Sequence, residues 1–105
     1  MALGLAAALL VFTGLWHVFE WAVHGWNPDT AKLIPFGVAY LVLGVLIATA
    51  TATALAATVA LILTAIGMTA AFLFRRTMDL PAGVIWAFIL VDVVIVLGLL
   101  SWALG

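Results

Sequence analysis

Residues 33–74 read LIPFGVAYLVLGVLIATATATALAATVALILTAIGMTAAFLF, 42 positions without one charged side chain. A single helix of that length would run about 63 Å at 1.5 Å per residue, twice the ~30 Å hydrocarbon core of a bilayer. The run must therefore fold back on itself. Its least apolar part is ATATATA at 48–54, where alternating threonines offer hydroxyls to helix ends. The break belongs there, which gives helical spans over about 33–49 and 53–74.

The flanks extend the pattern. NPDTAK at 27–32 carries turn chemistry, and Asp29 or Thr30 suits the N-cap of the following helix. Residues 1–19 hold no charge and the apolar character persists to Trp26, so a first span covers about 3–25. No Lys or Arg precedes Lys32, and the apolar stretch outruns a signal-peptide core, so this span is expected to be retained. RRTMDLP at 75–81 is a second loop, with Asp79 as a cap and Pro81 in the first turn, where a missing N–H costs nothing. A last span then covers about 80–103. The expected fold is all-α, a polytopic membrane protein with a four-transmembrane-helix bundle as one membrane domain over residues 1–105.

Composition agrees. The chain is 70% hydrophobic and 7% charged, with a mean hydropathy of +1.47, against roughly 25% charged in a soluble domain. Seven charged side chains cannot cover a surface facing water, so the lipid bilayer is the expected solvent and first partner. A net charge of −1 gives no basic surface for nucleic acid. The absence of cysteine excludes disulfides and thiolate chemistry. Ser101, the one serine, sits at the far end of the last span from any cytoplasmic base, so nucleophilic catalysis is not expected.

Lys32 lies in one loop and Arg75 and Arg76 in another on the same side. The positive-inside rule makes that side cytoplasmic and puts both termini outside. Trp26 and Trp102 suit the two interfacial aromatic belts. For packing, Gly37 and Gly44 share one face of the second span. Ala56, Ala60, Thr64, Gly67 and Ala71 form a small-residue ladder on the third. Small faces let helices approach closely in lipid, so these two spans are expected to form a tight hairpin.

Two carboxylates fall inside spans, where ionisable groups are costly and usually functional. At 100° per residue His17, Glu20 and His24 share about a 60° arc of the first helix, with Thr13 on the same stripe. Asp92 stands in the middle of the last span. Counted from the cytoplasmic side, His17 and Asp92 lie about 13 Å and 16 Å deep at 1.5 Å per residue, so they are expected to pair if the first and last helices are neighbours.

Three readings of this cluster stand side by side. It fixes helix register in a non-enzymatic membrane protein that works as a homo-oligomer or as a subunit of a larger membrane complex. It forms a proton or cation relay in a small transporter or channel. Or His17, Glu20, His24 and Asp92 help complete a metal or haem site in an electron-transfer subunit. No cofactor is singled out.

Four spans in 105 residues, Glu20 in the first of them and RRTMDLPAG before the last together resemble the small multidrug resistance transporters. That resemblance implies a homodimeric, proton-coupled carrier with Glu20 as the coupling acid. The third span lacks that family's Gly-rich, Trp-containing pattern, and Asp92 is foreign to it.

Overall fold

The computed structural model describes residues 2–24, 31, 33–77 and 80–105, with the side chains of Ala2 and His24 outside the description. Among the described residues four helices follow in order: α1 (Ala2–His24), α2 (Leu33–Ala48), α3 (Thr53–Phe74) and α4 (Ala82–Leu104). Each packs on the next, and α1 also packs on α4, so the four close into a ring with α1 opposite α3. No strand occurs among the described residues. The chain is an all-α four-helix bundle. The expected caps at Asp29 and Thr30, and the positions of Trp26, Lys32 and Asp79, lie outside the described residues; the cap expected at Asp79 is taken by Pro81 instead.

The expected break in the 42-residue run is present, and its chemistry is specific. The N–H of Thr51 donates to the Leu46 carbonyl at 2.8 Å and that of Ala50 to Ile47 at 3.1 Å. These paired bonds form the Schellman closure of a helix C-terminus. Thr49 Oγ1 adds a bond to the Val45 carbonyl at 2.8 Å. The closure requires a left-handed residue, and Ala50 takes it at φ 56°, as does Ala52 at φ 49° before α3. Alanine pays for that conformation where glycine would not. Ala50→Gly is accordingly expected to stabilise the bundle by about 1 kcal/mol, read as a higher midpoint of thermal unfolding in detergent.

At the other loop, Pro81 does not enter the first turn as expected. It takes the N-cap place at φ −56°, ψ 137°. Its extended ψ keeps it outside the helix, while its carbonyl accepts from Val84 and Ile85 at 3.0 and 3.2 Å. Helix α4 therefore starts at Ala82.

The small-residue face of α2 meets α1, not α3. A Cβ added to Gly37 would lie 2.8 Å from the Gly14 carbonyl oxygen and 2.9 Å from His17 Cβ. One added to Gly44 would lie 2.9 Å from the Ala7 oxygen and 2.8 Å from Val11 Cγ2. Ala7 and Gly14 are seven residues apart, as are Gly37 and Gly44, so two antiparallel faces match and the backbones touch. The α3 ladder is buried through Ala56, Ala60 and Thr64. Thr64 satisfies its hydroxyl within the helix, donating to the Ala60 carbonyl at 2.7 Å. Gly67 receives the tip of Tyr40 from α2, whose hydroxyl oxygen would stand 2.5 Å from a Cβ there. The core joins Leu10 of α1, Tyr40 and Ile47 of α2, Ala57 and Ala60 of α3, and Ile95 and Leu99 of α4.

The outer surface is apolar: Leu15 and Phe19 of α1, Leu55 and Leu73 of α3, and Leu90 and Leu97 of α4 are each more than half exposed. In α1 (Leu3–Val23), α3 and α4 the apolar stretch is long enough to cross a membrane. The 16 residues of α2 make a shorter apolar helix, about 24 Å at 1.5 Å per residue. Three long apolar helices with such a surface suggest membrane insertion.

Candidate functional site

His17, Glu20 and Asp92 are all buried, at 7%, 6% and 3% exposure, which is unusual for ionisable groups. Thr13, one turn before His17, is fully enclosed. His17 Nδ1 donates to the Thr13 carbonyl at 2.6 Å. In the neutral ring this bond keeps the proton on Nδ1 and makes Nε2 the acceptor. The ring is held from two further sides. Phe88 of α4 stacks on it with centroids 4.2 Å apart and planes 15° from parallel. Tyr40 of α2 meets it edge-on at 5.3 Å. His17 is thereby clamped between three helices in one orientation.

Glu20 lies one turn further along α1, where Trp16 Nε1 donates to its Oε1 at 2.8 Å. Trp16 in turn packs edge-on against Phe88 at 4.6 Å. These contacts tie α1 to α4, the two helices that the depth comparison requires to be neighbours.

A cavity of about 280 Å³ lies inside the bundle. A water molecule's share of liquid volume is about 30 Å³, so the space holds a small molecule rather than a single water. Its deeper wall includes His17, Tyr40, Gly67, Phe88 and Asp92; Leu33, Phe74 and Thr77 carry it toward the helix ends next to Arg75. The lining is largely apolar and aromatic, with Phe36, Ala70 and Ala71 completing it. Asp92 brings the carboxylate. Its Oδ1 is fully buried and has no hydrogen-bond partner. Buried polar atoms are nearly always paired, and a carboxylate oxygen in a low-dielectric interior is the costliest to leave alone.

His17 and Asp92 thus reach the same cavity from α1 and α4, but Oδ1 of Asp92 makes no bond to the imidazole. Glu20 is not among the cavity residues. The His24 side chain lies outside the described residues. Among the described residues no three His, Asp or Glu side chains come together as a metal shell. Of the packing positions, Gly37 and Gly44 serve α1, Gly67 serves Tyr40, and Ala60 sits in the core.

Sequence reasoning passed over Tyr40, Phe88 and Gly14. Tyr40 is the chain's one tyrosine, a polar-tipped ring inside a 42-residue uncharged run, and that was a usable signal. Gly14 stands seven residues from Ala7, the same spacing as Gly37 to Gly44 in α2. Phe88 gave no signal, because one phenylalanine on an apolar helix looks like any other.

The chain matches no protein-family model, no curated protein and no solved structure. None of these comparisons supports the resemblance to small multidrug resistance transporters.

Proposed function

We propose that the chain is a small, non-enzymatic, multi-pass membrane protein that carries a proton or cation by way of Asp92. One observation supports this above the others: a buried carboxylate in the wall of a cavity, with one of its oxygens left without a partner. An uncompensated charge there would cost several kcal/mol. Asp92 must therefore hold either a proton or a counter-cation, and exchanging one for the other is the elementary step of a coupled carrier. His17, clamped with Nε2 as its acceptor, is the second group able to take a proton at the cavity wall. In this reading Asp92 replaces Glu20 as the coupling acid, because Glu20 is engaged by Trp16 away from the cavity. A purely structural role for the cluster is less well supported, since it would leave the Oδ1 desolvation without return.

The cavity runs toward the helix ends beside Arg75 and Arg76. By the positive-inside rule this side, with Lys32, is cytoplasmic, and both termini are outside. Access from one side alone does not transport, so the working unit is proposed to be a homo-oligomer or a complex with other membrane subunits. The apolar outer faces of α3 and α4 are available to it.

The test is proton flux in liposomes reconstituted with the purified chain. With the permanently charged cation tetraethylammonium supplied on the opposite side, wild type is expected to dissipate an imposed pH gradient, and Asp92→Asn to leave it standing. Equal flux from the two proteins overturns the reading.

A further inference from the structure

We propose that the cavity is a binding site for a small protonated amine with an apolar aryl or alkyl tail. This deepens, and rests on, the reading of Asp92 as a cation-holding group. Three observations carry it.

The first is the acid itself. Asp92 is 97% buried and lines the cavity, and its Oδ1, enclosed by protein, has no partner. A ligand N–H⁺ on the cavity side of this carboxylate supplies the missing counter-charge, and charge-assisted bonds to a carboxylate are the strong ones.

The second is what surrounds the acid. An inorganic cation needs several oxygen ligands, six or more for calcium, whereas the other walls here are Phe36, Tyr40, Phe74 and Phe88 with Leu33 and small residues, and His17 and Thr77 as further polar groups. Among the described residues no group of three acidic or histidine ligands exists. Aromatic faces suit an organic ammonium instead, because the ring quadrupole attracts cations.

The third is size and direction. About 280 Å³ exceeds what a proton, a hydronium ion or one water requires. The acid lies at the deep end, about 15 Å into α4 at 1.5 Å per residue, and the apolar walls extend from it toward Leu33 and Phe74. An amine would enter charged head first and leave its tail against the rings. His17 stays in place on the wall, because its Nδ1 bond to Thr13 involves no ligand.

Binding of 2-phenylethylamine to the protein in lipid nanodiscs tests this by calorimetry, with empty nanodiscs as the blank and 2-phenylethanol as the neutral match. The amine is expected to bind saturably, on the order of tenfold or more tighter than the alcohol. Asp92→Asn is expected to remove that difference. Ala71→Leu, which leaves the acid intact and fills the cavity, is expected to weaken amine and alcohol alike. Equal binding of amine and alcohol by wild type, or an amine affinity unchanged in Asp92→Asn, overturns the proposal. Proton flux that depends on Asp92 without amine binding would sink the amine site while sparing the carrier. Amine binding without flux would do the reverse.

Discussion

Adding one methyl group at Gly14 is expected to separate α1 from α2 and cost the bundle about 3 kcal/mol, at the upper end for overpacking. The new Cβ would stand 2.7 Å from the Gly37 carbonyl oxygen and 2.8 Å from the Leu41 nitrogen. Both neighbours are backbone, and no rotamer change can move them. The helices must therefore part, and every contact along the shared face loosens with them. Gly37→Ala meets the same wall from the other side, with His17 Cβ at 2.9 Å as well, so it also disturbs the clamped imidazole. The two substitutions are expected to be far from additive, because either one alone already forces the separation. Gly4→Ala is the control. Nothing lies within 4 Å of a Cβ there, and alanine is the better helix former, so that change is expected to be neutral or stabilising. Thermal unfolding in detergent, followed by helical circular dichroism, reads all three. A Gly14→Ala protein as stable as wild type contradicts the backbone contact.

Asp92→Asn is expected to bring proton flux down to the liposome background. Asparagine keeps the shape and one carbonyl oxygen but has no proton to release near neutral pH. Asp92→Leu goes further. It removes the orphaned oxygen, so unfolding is expected to shift upward by about 1–3 kcal/mol while flux is still lost. A residue whose removal stabilises the protein and silences it is kept for what it does rather than for what it holds together. Loss of stability in Asp92→Leu would instead assign the acid to the scaffold.

The architecture was legible in one number, the length of the uncharged run. Four apolar blocks, their lengths and the turn at ATATATA follow from bilayer thickness and helix rise. The N-cap at Pro81 departs by two positions from the expected Asp79, because the proline's extended ψ, not its missing N–H, sets the boundary. Pairing was only half legible. Gly37 and Gly44 announced a close contact, but small residues state how near a neighbour comes and not which neighbour it is. The match lay in the equal spacing of Ala7 and Gly14, visible only when both helices are compared. The site shows the same limit. Helical periodicity put His17 and Glu20 on one stripe, and depth brought His17 level with Asp92. Periodicity could not tell that the Trp16 indole engages Glu20, nor that four rings from α2, α3 and α4 leave a space beside Asp92. Cavities arise from the shapes of several helices at once, and no single helix encodes them.

The most direct measurement is the site at which an apolar carbodiimide modifies the protein in its membrane. A protonated carboxyl adds across diisopropylcarbodiimide and rearranges to a stable N-acylurea, with no group lost, so mass spectrometry of the fragments locates the adduct. An acid held at the end of a cavity, carrying a proton when no cation is present, should be the residue that reacts. The expected result is a single adduct on Asp92, formed more slowly with N,N-dimethyl-2-phenylethylamine, a tertiary amine that the activated carboxyl cannot acylate stably, and at an unchanged rate with 2-phenylethanol. An unmodified Asp92, with the adduct on Glu20 or nowhere, contradicts the assignment of this cavity as the working site.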